Sequence, residues 1–306
     1  MTATTCHPER SEGSLLRRDD GIVGMTVRQK VSKNAARTKT QTRISGGDGR
    51  NISDLKALHL GQPHAARRRK KARINPMRTL VIAAHPDDEV LGCGGTIARM
   101  AREGVTVKVI ILSDGESSRW RSPGDVPREI VESRRTAARK AAAILGVEAP
   151  MMFDYPDNRF DTVPLLEITK TVESVIREFE PDTVFTHHSG DMNVDHRLTA
   201  EAVMTATRPA PERSVERVYA FEVLSSTHVA AGHFGPPFLP NVIVEISDTI
   251  DAKLEAMKCY ERELHPFPHP RSLESIRSLA STRGTVCAVA AAEAFVLVRE
   301  IRRGGS

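Results

Sequence analysis

The chain has 306 residues, 40% of them apolar and 27% charged, with a formal net charge of +5 and four cysteines. That balance suits a globular protein and leaves no window near the roughly 20 apolar residues of a membrane span. The first forty residues lack the apolar core of a secretory signal, and Cys6, Cys93, Cys259 and Cys287 form no CxxC pair. This argues against a disulfide framework and for a reducing, cytoplasmic setting.

The charge is divided unevenly. Residues 1–76 carry 17 Lys and Arg against 6 Asp and Glu, a net of +11, while the rest carries 27 against 33, a net of −6. The first segment has no Phe, Trp or Tyr and ends in the run Arg67-Arg68-Arg69-Lys70-Lys71. It cannot bury enough apolar surface to offset its ordering entropy, so residues 1–76 are expected to be a disordered basic tail, or a stretch upstream of a true start at Met77. Residues 77–306 are expected to form a single domain.

From residue 77 the chain alternates strand-like and helix-like segments, the pattern of a mostly parallel sheet with helices on both faces, an α/β fold. The apolar run 79–84 reads as a buried strand, followed by the cluster His85, Asp87, Asp88, Glu89 and the glycines 92, 94 and 95. A helix is expected from Thr96 to Glu103, then a strand over 105–112, a polar loop to Pro127 and a helix over 128–145 closed by Gly146. Strands follow near 151–154 and 183–186, separated by a helix over 164–179, with another helix over 197–207. Strands near 217–224 and 241–246, helices near 248–263 and 271–281, and a last strand near 294–299 complete the reading.

Two polar clusters thus stand at strand ends. Beside the first lies HHSGDMNVDHR, residues 187–197, offering His187, His188, Asp191, Asp195 and His196. A parallel sheet brings such ends to one edge, where open α/β sheets build their sites. Adjacent carboxylates repel unless a cation or a shared proton relieves them. Two imidazoles and a carboxylate suit Zn²⁺ with a fourth position left open, and a neighbouring carboxylate such as Asp87 can take a proton from water. The plainer readings are a loop in which an Asp caps the next helix, glycines that only let helix pack on strand, and core or surface histidines. As a phosphate loop the glycines are weak, since neither GxGxxG nor GxxxxGK is present.

AHPDDE at the end of the first strand followed by GxGGT, the later DxNxDHR, PHPRS (268–272) and AEAF (292–295) resemble the zinc-dependent de-N-acetylases of the PIG-L or LmbE-like superfamily. The resemblance covers residues 77 to about 300 and implies a Rossmann-like α/β domain. It implies His85, Asp88 and His196 as metal ligands, Zn²⁺ as the cofactor with Fe²⁺ as the alternative, and Asp87 as the general base. It places a substrate-binding arginine at Arg134, with Arg135 its neighbour, and Asp195 as a carboxylate orienting His196 or another histidine. Many members carry a histidine three residues before the last ligand to steady the oxyanion. Here that slot is Asn193, so Asn193, His188, or His265 and His269 of the segment HPFPHPRS would have to assist. Arg134 and Arg271 would hold substrate hydroxyls or a phosphate.

The activity implied is removal of acetyl from an N-acetylated sugar or glycoconjugate, with no nucleic acid and no membrane span involved and with room for a homo-oligomer. One alternative is a zinc amidase for a thiol-conjugate amide, since specificity would sit in loops 113–127, 225–240 and 264–272. Another class is a nucleic-acid binder using the basic arm, against which stand the missing aromatics and the acidic remainder.

Overall fold

The computed structural model describes residues 77–210 and 215–302, so the expectations for the basic segment 1–76 lie outside the described residues. The elements alternate in chain order: β1 (Arg78–Ala83), α1 (Asp88–Arg102), β2 (Thr106–Ser113), α2 (Arg128–Leu145), β3 (Met151–Tyr155), α3 (Leu165–Phe179) and β4 (Thr183–His187). Then come α4 (Val194–Ala206), β5 (Arg217–Phe221), β6 (Val242–Glu245), α5 (Ile250–Lys258), α6 (Leu273–Thr285) and β7 (Ala292–Glu300).

The strands form one seven-stranded sheet in the order β3-β2-β1-β4-β5-β7-β6. From β3 to β5 every neighbouring pair is parallel, and β7 alone runs antiparallel to both of its neighbours. Strand β1 therefore lies between β2, which follows it, and β4, which is reached by a longer path. That is the point where a doubly wound sheet changes direction and its helices part to leave a crevice at the carboxyl ends.

Alternation along β1 builds the two cores. Val81 and Ala83 enter an apolar cluster with α1, α2, α5 and α6, while Leu80, Ile82 and Ala84 enter a second with α3 and α4. Every residue from Leu80 to Ala84 is fully buried, which is why this strand reads as a continuous apolar run rather than as an alternating one. Leu80, Val81 and Ile82, removed from water, contribute about 1.5–3 kcal/mol each.

The strand and helix types expected from the sequence are present, with boundaries that move by a few residues. Helix α4 starts three residues early and α6 ends four residues later, and three other shifts bear on the site. Helix α1 begins at Asp88, eight residues before the expected start at Thr96, and includes the glycines, with Cys93 out of helical conformation (φ −146°, ψ 23°). Strand β5 ends at Phe221 rather than 224, because the chain turns there toward the 225–240 loop. The helix expected over 248–263 stops at Lys258, and a separate 3₁₀ turn over Glu261–Glu263 brings Glu263 inward. Helix α2 ends as read, on Gly146 at φ 79°. Among the described residues no helix is long and apolar enough to cross a membrane.

Candidate metal centre and active site

His85 follows β1, and Asp88 opens α1. The loop between them is tight: Asp88 Oδ2 accepts from the His85 backbone N–H at 2.9 Å. Asp87 takes a positive φ of 118°, which costs a non-glycine residue of order 1–3 kcal/mol and is held by its surroundings. Its N–H donates to Glu89 Oε2 at 3.1 Å, and its carbonyl accepts from Val90 and Leu91 at 3.0 and 2.9 Å. Glu89 is fixed in turn by the Tyr260 hydroxyl, which donates to Oε1 at 2.5 Å. Burial pushes the Glu89 carboxyl up to about 8, partly opposed by that hydroxyl.

His196, on the first turn of α4, meets this loop from across the β1–β4 crevice. Asp88 Oδ2 lies 3.1 Å from His85 Nδ1 and 3.2 Å from His196 Nε2, and the two nitrogens are 3.2 Å apart. All three residues are buried. Three donor atoms at the corners of a nearly equilateral triangle are what a tetrahedral cation would require: ligand bonds of 2.0–2.1 Å give edges of about 3.3 Å. Asp88 Oδ1 is buried without a hydrogen-bond partner. Two facing imidazole nitrogens and a carboxylate oxygen form an N₂O set suited to zinc-type divalent metals.

The far side of each imidazole strengthens the fit. His85 Nε2 lies 3.0 Å from Asp195 Oδ2 and 3.2 Å from Asp157 Oδ1, while His196 Nδ1 lies 3.2 Å from Asp191 Oδ1 and 3.3 Å from Ser226 Oγ. Carboxylates on the outer nitrogen fix ring orientation and tautomer in metal-ligating histidines. The group His85, Asp157 and Asp195 is thus the backing of His85. Burial would lower both histidines, but Asp195 and Asp88 raise His85 well above its ordinary value, and Asp88 and Asp191 raise His196 to about 9. Burial would raise Asp88, yet His196 and His187 hold it well below the usual range. His187 is lowered well below its ordinary value by burial and by His196, and its Nε2 accepts the Ala84 N–H at 2.9 Å.

Beside the triangle sits Asp87, buried, its Oδ2 without a hydrogen bond but 3.3 Å from the Arg271 guanidinium. Burial pushes its carboxyl up to about 7, Arg271 pulling the other way. Arg271 also donates to Glu263 Oε2 at 2.5 Å and to Ser225 Oγ at 3.1 Å. Arg134 is buried and inward, donating through Nε to Glu116 Oε1 at 2.7 Å and through its terminal nitrogen to Glu263 Oε1. Arg135 instead pairs with Asp154 at the surface, 2.5 Å apart.

The remaining candidates are spread more widely. Asp195 backs His85 and accepts from Phe160 and Asn158 backbone N–H groups at 2.9 and 2.7 Å. Asn193 is the N-cap of α4, its side chain accepting from Asp195 N–H at 2.8 Å and donating to Asn158 Oδ1 at 2.8 Å. His188 is drawn to the 225–240 loop, with Nε2 2.8 Å from the Pro236 carbonyl and its ring against Phe238. His269 is exposed with its ring tilted against that of His265, and its Nδ1 accepts the Arg271 N–H at 3.0 Å. Sequence reasoning gave no role to Glu263, Glu116, Asp157 or Tyr260. The only signal was the third acidic residue of the AHPDDE string, whose burial demands a partner such as Tyr260.

Residues 80–207 match the model of the PIG-L family, described as GlcNAc-PI de-N-acetylase. The diacetylchitobiose deacetylase of Thermococcus kodakarensis is 30% identical over 194 residues, which cover 61% of this chain and 70% of that protein. The chain belongs to the PIG-L/LmbE-like de-N-acetylase superfamily. With it the chain belongs to the deacetylase hydrolases. A Bacillus anthracis protein named probable N-acetyl-alpha-D-glucosaminyl L-malate deacetylase 2 is 28% identical over 191 residues, 61% of this chain and 81% of that one. Among solved structures, the 4-carboxy-2-hydroxymuconate hydratase of Pseudomonas putida KT2440 superposes with a TM-score of 0.59 at 25% identity, covering 75% of this chain and 99% of that one. The superfamily scaffold thus also carries a hydratase, and activity has to be argued from the site rather than from the fold. The part matched by the family model holds His85, Asp87, Asp88, Asp191, Asp195 and His196, whereas Arg271 and Glu263 lie beyond it.

Proposed function

We propose that this protein hydrolyses the acetamide of an N-acetylated amino sugar or glycoconjugate, releasing acetate and a free amine, with zinc or iron(II) held by His85, Asp88 and His196. The observation that carries the reading is the donor triangle with one further buried carboxylate, Asp87, beside it. A cation bound there supplies a Lewis acid for a carbonyl and acidifies water.

The chain's own residues divide the remaining work. Asp87 Oδ2 takes the proton from the attacking water and returns it to the departing nitrogen, a task suited to a carboxyl near neutrality. Arg271 steadies Asp87 and faces the sugar's hydroxyls or a phosphate, with Glu263 and Arg134 holding it from behind. Asp195 and Asp191 keep His85 and His196 in register. Asn193 supports Asp195 from the start of α4, His188 anchors the 225–240 loop, and His269 shapes the Arg271 loop.

The test uses the full chain and its Asp87→Ala variant, with metal content measured alongside amine release from N-acetylglucosamine and its phosphorylated and nucleotide-linked derivatives. Both proteins are expected to bind about one metal ion per chain, the variant losing about 10²–10⁴-fold in rate. Metal without amine release in the parent would leave the site and overturn the substrate. A parent that binds no metal would overturn the reading itself.

A further inference from the structure

Two strings of the sequence lie outside the metal site, GCGGT after the acidic cluster and AEAF near the end, and the fold joins them. Helix α1 is broken at Cys93. In an unbroken helix the Gly95 N–H would donate to the Leu91 carbonyl. Here the Leu91 carbonyl accepts from Lys253 Nζ at 2.8 Å, and the Gly95 N–H donates to Glu293 Oε1 at 3.0 Å. Glu293 Oε2 takes the next amide, Thr96 N–H, at 2.7 Å. Lys253 and Glu293 close the circuit with an ion pair of 2.6 Å, both side chains buried. A Lys–Glu pair has been spliced into the ladder of α1, its cation on the orphaned carbonyl and its anion on the orphaned amides.

The glycines make room for the splice. A methyl group on Gly94 would lie 3.3 Å from Lys253 Cγ and 3.2 Å from Val90 Cγ1, and one on Gly95 would overlap Ile246 at 2.6 Å. Thr249 Oγ1 holds the Gly95 carbonyl at 2.9 Å. The segment between the acidic cluster and the break is a single turn. It hangs at one end from the Asp87 carbonyl through Val90 and Leu91, and is gripped at the other where Lys253 meets Leu91. On the acidic side the same turn is held by Tyr260 through Glu89, so the Lys253 contact fixes its far end.

We propose that Lys253 and Glu293 are positioning residues: a charged splint across the break in α1 that sets the Asp87–Asp88 turn at the angle the metal requires. This rests on the metal reading above. The pair touches neither substrate nor ligand atoms and acts through Leu91.

The experiment titrates Zn²⁺ into metal-free full-length protein against a chromophoric chelator and records the visible spectrum of the Co²⁺ form. It compares the parent, the double variant Lys253→Met/Glu293→Gln, which removes both charges together, and Gly94→Ala, which keeps both and crowds Lys253. The folded double variant is expected to bind zinc about tenfold or more weakly and to show shifted cobalt bands, the size of effect that support of a metal ligand commonly has. Gly94→Ala is expected to move both in the same direction by less. Parent-like affinity and cobalt bands in a folded double variant, even with a lowered Tm, would make the pair a purely structural brace and overturn the proposal. If the double variant does not fold, Gly94→Ala decides, and parent-like values there overturn the proposal equally. A parent that takes up no zinc would instead defeat the metal reading, which the two arms keep separate.

Discussion

Asp195 and Asp191 divide the two histidines between them, and their crossing could not be read along the chain. Asp195 is next to His196 in sequence but reaches His85, while Asp191, five residues before His196, reaches His196. Sequence supplies residue types at strand ends, and only the turn into α4 decides which carboxylate faces which ring. That His85, Asp88 and His196 would meet was legible in the sequence, because a chemically costly string such as HPDDE at a strand end has few uses. Asp195→Asn keeps the volume and weakens the charge behind His85. It is expected to lower zinc affinity about 10–100-fold with the fold intact, measured by chelator competition. Tyr260 supports the same loop from the other side: burial and its bond to Glu89 hold its hydroxyl protonated, well above its ordinary value. Tyr260→Phe leaves the Glu89 carboxyl short of a donor and is expected to cost about 1–3 kcal/mol, read from the urea midpoint at unchanged slope.

The elements themselves were placed well where pattern and propensity agree, as in α2, which runs over 128–145 as expected. They were misplaced where tertiary demands overrule propensity. Three glycines in eight residues argue against a helix, at about 1 kcal/mol each relative to alanine. Yet α1 contains them, because Phe221 and Ile246 press against the positions where side chains of Gly92 and Gly95 would stand. A different tie secures the other end of the 225–240 loop. Glu222, just past β5, accepts from Arg283 of α6 at 2.8 and 2.6 Å and from His228 at 2.5 Å. Burial alone would raise the Glu222 carboxyl, but the hydrogen bonds from His228 and Arg283 outweigh it and hold it below its ordinary value. A carboxyl that is more acidic folded than unfolded binds fewer protons in the native state. Its contribution is therefore complete above the unfolded value of about 4.3 and is lost as pH falls through the lower folded value. Glu222→Gln is expected to be less stable than the parent at neutral pH and to converge with it in acid. Urea midpoints between about pH 6 and pH 3 would check this, and a constant gap would refute it.

Across the whole molecule, the crevice exists because β1 has helices leaving on opposite faces on either side of it. Composition and alternation were enough to foresee the doubly wound class. The reversed β7 was not foreseen, since its residues 292–295 are buried in succession and read like those of a parallel strand. The site lies beyond the carboxyl end of β1, so a cavity under the middle of that strand should cost stability and leave the ligand set in place. Leu80→Ala, in the α3–α4 core, is expected to cost about 2–5 kcal/mol, seen as a fall in Tm without loss of metal stoichiometry.

The place of β7 bears on how the protein is made. It is last of the strands in chain order but is inserted between β5 and β6, hydrogen-bonded to both. During synthesis β6 therefore has no partner in the sheet until some fifty residues after it have left the ribosome, a non-local closure of the slow kind. Glu293 rides on that same strand, so Lys253 waits unpaired for the same event. A nascent chain interrupted before β7 would forfeit two strands rather than one, present an open sheet edge for aggregation, and leave unbraced the turn that carries Asp88.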